Sequence, residues 1–137
     1  MQQFDPADFG TRYATAWSSQ DPGLLASFYA EDGSLVVNHG SPSHGRAAIA
    51  GTARAYMDAF PDMLVKMVLI SQQEDHPVFH WIWTGTNTGP GGTGKFVRLF
   101  GFEVWTIDRN GLIAESNGFY DEAEYQRQLK LGAPPLP

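Results

Sequence analysis

"KFVRLFGFEVWTID", residues 95–108, sets a carboxylate, Glu103, in the middle of an apolar and aromatic run. Strand side chains alternate, so Leu99, Gly101, Glu103 and Trp105 share one face, and Arg98, Phe100, Phe102, Val104 and Thr106 the other. A buried carboxylate without a partner is costly or stays protonated. The stretch is therefore a half-exposed strand, solvated or dimer-facing with Glu103 paired to Arg98 of a neighbour or to Lys95, or it is a buried structural pair, or the reactive part of a pocket.

Its surroundings have the same character. "MLVKMVLIS" (63–71), "VFHWIWTGTNT" (78–88) and "LIAESNGFY" (112–120) are further strand candidates. They are separated by "QQEDHP", "GPGGTG" and "DRNG", all turn compositions. Long strands with short connections form an antiparallel meander.

Further out, the N-terminal half is helical. In "DPADFGTRYATAW" (5–17) Asp5 caps, Pro6 suits the first helical position, and Phe9, Tyr13, Ala16 and Trp17 share a face. "DPGLLASFYAEDG" (21–33) repeats the device, with Asp21 as cap, an apolar stripe of Leu24, Leu25, Phe28 and Tyr29, and Gly33 as stop. "SLVVNH" (34–39) is a short strand and "GSPSHG" (40–45) a loop. "RAAIAGTARAYMDAF" (46–60) is a third helix with Ile49, Ala53, Tyr56, Met57 and Phe60 inward, ended by Pro61. Asp121 and Glu124 form a capping box for a short last helix over 121–129, and "GAPPLP" cannot be helical. Helices followed by a meander indicate an α+β fold with helices on one face of a curved sheet.

The 137 residues suit one domain, 1–137, with one core; 42% are hydrophobic and 13% aromatic, a globular composition. A net charge of −6 with no basic cluster makes nucleic acid and anionic membrane poor partners. The absence of cysteine excludes disulfides, thiolate metal sites and cysteine nucleophiles. No signal-like start or membrane-length apolar run is present, which predicts a cytoplasmic protein.

Several motifs in order, "FYAEDGSLVV" (28–37), "HGRAAIA" (44–50), "WTGTNTG" (83–89), "GTGKFV" (92–97), "GFEVW" (101–105) and "RNGLIAES" (109–116), resemble the SnoaL-like polyketide cyclase family of the NTF2-like superfamily. The resemblance spans roughly the whole chain. It implies a cone: three N-terminal helices packed on a curved, mainly antiparallel sheet enclosing a pocket for a small apolar molecule. Cofactors are usually absent from such proteins, so none is expected. The residue matching Glu103 points into the pocket in the family and is often Asp; Glu is one methylene longer, so its carboxyl sits deeper or bends aside. SnoaL-type cyclases use such a carboxylate as acid/base. In ketosteroid isomerases, which are similar, the matching acid is half of an oxyanion hole, and Tyr13 matches the tyrosine that forms the other half.

The isomerase likeness breaks at its essential aspartate, whose place falls on Val37. His39, two residues on with the same facing, is the candidate replacement base. An epoxide-hydrolase-type Asp–Arg–Asp set is lacking, since Arg98 lies on the opposite strand face from Glu103 and no second acid is in phase on 112–120. Histidines 39, 44, 76 and 80 show no metal spacing, so no metal is expected. "TGPGGTGK" lacks the Gly-Lys-Ser/Thr ending of a phosphate loop, and Ser116 has no triad partners. By the family match Ser116 and Tyr120 face the pocket.

The expected catalytic residues are thus Glu103, Tyr13 and His39. The expected ligand-binding residues are Trp17, Val37, Tyr56, Phe60, Trp81 and Trp83, with Leu99, Trp105, Ser116 and Tyr120. Aromatic walls suit a small apolar or aromatic ligand, planar or polycyclic. The activities implied are cofactor-independent cyclisation, isomerisation or dehydration of an apolar carbonyl compound; the alternative is a non-catalytic binding or dimerisation module. Arg98, Phe100 and Phe102 on the outer sheet face predict a homodimer.

Overall fold

The computed structural model describes residues 4–136; residues 1–3 and 137 of the expected 1–137 domain lie outside the described residues. Four α-helices and six strands follow in the order α1 (Pro6–Ser18), α2 (Pro22–Ala26), β1 (Tyr29–Val37), β2 (Ser43–His44), α3 (Arg46–Ala59), β3 (Leu64–Gln73), β4 (His76–Thr86), β5 (Phe96–Ile107), β6 (Ile113–Tyr120) and α4 (Glu122–Leu131). The strands form one curved sheet ordered β2-β1-β6-β5-β4-β3. From β3 to β6 it is the antiparallel meander read from the sequence. β1 then pairs with β6 in parallel, so the sheet is mainly antiparallel.

Three of the four helix starts are set by aspartates, and α3 starts at Gly45 with no side-chain cap. Asp5 accepts from the Ala7 and Asp8 amides, Asp21 from Leu24 and Asp121 from Glu124, each satisfying amides that the helix cannot. The expected capping box on α4 is only half formed. Glu124 turns to Arg127 and Gln128 instead of reaching back.

The second helix is shorter than expected. It stops at Ala26, and Phe28 and Tyr29, read as its apolar stripe, instead lead into and begin β1. Two aromatics at helical spacing cannot distinguish a fifth helical position from the first buried position of a strand. The long-range bond from the Ile113 amide to the Phe28 carbonyl (3.0 Å) decides it. Gly33 is no helix stop. It sits where the β1–β6 register shifts, and a Cβ there would lie 2.8 Å from the Ile113 carbonyl. The expected loop 40–45 contains a short strand, β2, paired to Ser34 and Leu35. The "QQEDHP" connection is tighter than a loop: Gln73 pairs with His76, and Glu74 takes the left-handed conformation (φ 54°) in the turn.

The inner face of the sheet carries Val65, Phe79, Trp81, Trp83, Val97, Leu99 and Trp105, all buried. Against it α1 places Phe9 and Tyr13, and α3 places Ile49, Ala53 and Met57. At the other end α4 docks on β5 beyond the point where β6 stops. The Gln128 side chain accepts from the Arg98 amide (2.7 Å) and donates to the Arg98 carbonyl (3.1 Å), while the Ala133 amide donates to the Phe96 carbonyl (2.7 Å). No helix among the described residues is long and apolar enough to cross a membrane.

Candidate functional site

Glu103 lies on the inner face of β5 and is 7% exposed. In register it stands between Phe79 on β4 and Gly118 on β6. Gly118 makes room for the longer side chain, since a Cβ there would come within 3.3 Å of the Glu103 Cγ.

The two carboxylate oxygens differ. Oε1 accepts three hydrogen bonds: from Ser116 Oγ (2.7 Å), Tyr13 OH (2.9 Å) and Trp105 Nε1 (3.0 Å). Tyr13 OH is also 2.7 Å from Tyr29 OH. A phenol has one proton, and Tyr13 commits its own to Oε1, so Tyr29 donates to Tyr13. Oε2 has no hydrogen-bond donor among the described residues. It is not a sealed orphan either, because the one buried side-chain polar atom without a partner among those residues is Trp83 Nε1. Oε2 is therefore the oxygen left open to the cavity that Glu103 lines.

Electrostatics follow from this geometry. Burial pushes the Glu103 carboxyl above its ordinary value of 4.5, and the Trp105, Ser116 and Tyr13 donors oppose the shift without reversing it. Burial, then the neighbouring Glu103 charge, holds the Tyr13 and Tyr29 phenols well above 10, so both stay protonated donors. Among the described residues the salt bridges are Arg12–Asp8 and Arg127–Glu124. Glu103 has no ion pair, and the Arg98 guanidinium is spent on the Pro134 carbonyl. The reading of Glu103 as half of a structural ion pair within the chain is thus dropped.

The cavity has a volume of about 70 Å³. Of the expected residues, Trp17, Val37, Tyr56, Trp81, Trp83 and Tyr120 line it with Glu103. Its wall is completed by Leu35, Met63, Val65 and Phe79, together with Gly118 and Phe119. Leu35 is in strand phase with Val37, and Phe79 with Trp81, so alternation was the signal for both. The tyrosine pair on the wall, Tyr56 OH and Tyr120 OH, is joined at 2.9 Å. One proton makes that bond, which leaves the accepting hydroxyl with a proton still to donate.

Other expectations are corrected. Tyr13 is fully buried and does not line the cavity; it holds Glu103 from behind and is not placed to donate directly to a ligand. Trp105 and Ser116 act likewise on Oε1, and Phe60 and Leu99 are packed behind the wall, Phe60 edge-on to Trp83 at 5.0 Å. His39 does not keep the facing of Val37. The chain turns at Asn38 and His39, both at positive φ (51° and 60°), and the His39 ring lies 5.0 Å from Phe119, outside the cavity lining. Asn38 instead accepts from the Tyr120 amide (2.9 Å). Tyr29, read as helical, had no signal in the sequence that marked it as part of this network. No group of three or more potential ligands that could hold a metal comes together among the described residues.

Comparison with known proteins agrees with this architecture. Among solved structures, a protein from Catenulispora acidiphila DSM 44928 with a ketosteroid isomerase-like fold, in complex with trimethylamine, superposes with a TM-score of 0.74 at 22% identity, covering 88% of this chain and 91% of its own. A candidate SnoaL-like polyketide cyclase from Jannaschia sp. CCS1 gives 0.80 at 15% identity, covering 98% of both chains. The epoxide hydrolase/cyclase-like enzyme SalBIII, with a role in pyran ring formation in the polyether salinomycin, gives 0.74 at 15% identity, covering 87% of this chain and 92% of its own. At these identities the likeness is one of fold. No curated protein matches the chain. The family model for the SnoaL-like domain matches residues 11–116, from α1 through Ser116 of β6, and the chain belongs to that family.

Proposed function

We propose that the cavity is a cofactor-independent acid/base site for a small apolar carbonyl compound, with Glu103 exchanging the proton through Oε2. One observation carries the reading: a buried carboxyl with one oxygen saturated by three donors and the other open to an aromatic-walled cavity. The three donors lock the carboxyl in one orientation, which is what a proton donor or acceptor needs. Its raised pKa brings it closer to neutral pH, where proton transfer in either direction is most efficient. The unspent Tyr56–Tyr120 proton supplies a hydrogen bond to negative charge developing on the ligand, the role expected of Tyr13.

The reactions that fit are isomerisation, dehydration or ring closure next to a carbonyl. An apolar cavity of roughly 150 Å³ holds one benzene. A site of about 70 Å³ therefore takes a compact reacting end and not a polycyclic body, unless the mouth opens. The trimethylamine held by the Catenulispora neighbour is a ligand of that compact scale. We further propose that the domain works as a homodimer through the outer face of β5, where Phe100 and Phe102 are exposed.

The experiment is proton exchange by NMR in deuterated buffer over a panel of small ketones and enones. The wild type should exchange or isomerise at least one compound, and Glu103→Gln should not. Activity equal in both proteins would remove Glu103 from the chemistry, and inertness of the wild type across the panel would count for a binding module.

A further inference from the structure

We propose that the same cavity receives a small alkylated ammonium group, of trimethylammonium or tetramethylammonium size, with Glu103 as its counter-ion. This goes beyond the proton-transfer reading, since it requires the cavity and the carboxylate but no turnover.

Every donor to Glu103 is neutral, and neither salt bridge among the described residues involves it. No Lys, Arg or His lines the cavity. An ionised Glu103 is thus a buried charge with no cation of the chain beside it, which a proton or an incoming cation neutralises. The same account excludes anionic ligands.

Around the cavity Trp17 meets Tyr56 at 78°, Tyr56 meets Trp83 at 87°, and Trp83 meets Tyr120 at 78°, with centroids 6.1, 5.6 and 6.1 Å apart. Successive rings meet edge to face and make a continuous aromatic wall. Aromatic faces carry negative potential and attract alkylated cations, whose methyl groups also bury well against the rings.

Size and hydrogen bonding then choose the class of cation. A volume of about 70 Å³, under half of the roughly 150 Å³ that holds a benzene, takes the methyl-bearing end of such a cation and leaves the rest of a larger one at the mouth. A primary ammonium carries three N–H donors and needs three acceptors. The carboxylate offers the cavity one free oxygen, because Oε1 is already saturated. A tertiary ammonium needs one acceptor and a quaternary ammonium none, so these lose least on leaving water.

The two readings use two forms of one group. A carbonyl ligand meets Glu103 as the acid, and a cation meets it as the anion. The titratable groups facing Glu103 are Tyr13 from α1 and Tyr29 from β1, with Tyr56 of α3 and Tyr120 of β6 on the wall; burial raises all four, so none competes with Glu103 near neutrality. Cation affinity should therefore rise with pH through the Glu103 titration.

Calorimetric titration at constant ionic strength tests this with tetramethylammonium, trimethylammonium, methylammonium and the neutral tert-butanol. Wild type should bind the first two at least about tenfold more tightly than the last two. Glu103→Gln should lose that preference while melting no lower than wild type. Equal affinities, no binding of any cation, or a preference retained in Glu103→Gln would each overturn the proposal. Should Glu103→Gln fail to fold, Trp17→Leu tests the wall: tetramethylammonium should weaken severalfold more than tert-butanol, and equal losses would overturn it. The proton-exchange assay reports separately on the acid/base reading, whichever way these titrations fall.

Discussion

On the inner face of β5, Glu103 is 7% exposed beneath Tyr13 and between Phe79 and Gly118; one residue away on the outer face, Phe102 is 37% exposed, and Phe100 is 65% exposed. The strand alternates as any half-buried strand does, but at these positions the chemistry is inverted. The acid is inside and the aromatics are outside. A stability argument alone would exchange them, because burying the acid costs free energy and burying the phenyls gains it. Inversion of both faces in one strand runs against folding alone, and the proposed ligand on the inner face and the proposed partner copy on the outer one would each account for one half of it.

The largest expected effect tests the inner face. Glu103→Gln keeps the shape and accepts the same three donors, yet cannot deliver a proton near neutrality. Turnover on a substrate found by proton exchange should fall at least ~100-fold, with folding intact by circular dichroism. A drop in stability would show instead that the carboxylate answers a positive charge.

Next is the glycine between Phe100 and Phe102. A Cβ at Gly101 would run into the Trp81 ring and the Phe119 carbonyl. Gly101→Ala should lower stability by about 1–3 kcal/mol, read from a denaturant midpoint, and disturb the cavity wall through Trp81. An unchanged midpoint would mean that the Trp81 ring moves freely.

The dependence of stability on pH sharpens the same contrast. Glu103 titrates higher in the folded state than in the unfolded chain, so the folded state holds more protons between 4.5 and the raised value. Its contribution is full below 4.5 and is lost as pH rises through the folded value. Wild type should lose stability relative to Glu103→Gln over that window, measured as the gap between their Tm values. A gap independent of pH would remove the raised pKa.

Ser116→Ala should act more gently. It removes the shortest of three bonds to Oε1 and should destabilise by about 1 kcal/mol, while raising the Glu103 pKa further. NMR titration of the Glu103 carboxyl reads the direction. On the outer face, Phe100→Ser should leave the melting of the fold nearly unchanged and weaken self-association in light scattering. A wild-type monomer at tens of micromolar, an order-of-magnitude condition, would sink the dimer.

Much of this contrast was readable in the sequence. Alternation put Glu103 with Leu99 and Trp105, and aspartate caps marked three of the four helix starts. What alternation cannot supply is the end of an element. The strand phase of Val37 was carried on to His39, but two residues at positive φ break it. Tyr29 was lost for a related reason, because Leu24, Leu25, Phe28 and Tyr29 satisfy a helix as well as a strand entry, and only the distant Ile113 decides. Nor does periodicity say which atom of a side chain is occupied. Tyr13 was in the right place, yet its proton was already spent on Oε1, a fact that depends on three elements meeting.

The docking of Gln128 on Arg98 has a bearing on how the molecule behaves in a crowd. Where β6 ends, the next residues of β5 would present bare amides and carbonyls, a template for any extended chain that drifted past. Gln128 answers one amide and one carbonyl with the two ends of its side-chain amide, and Ala133 takes the Phe96 carbonyl. A single glutamine on a helix thus stands in for one peptide unit of an absent strand. Beside an outer face that already exposes phenylalanines, this closes the overhanging stretch of β5 to the addition of a further strand.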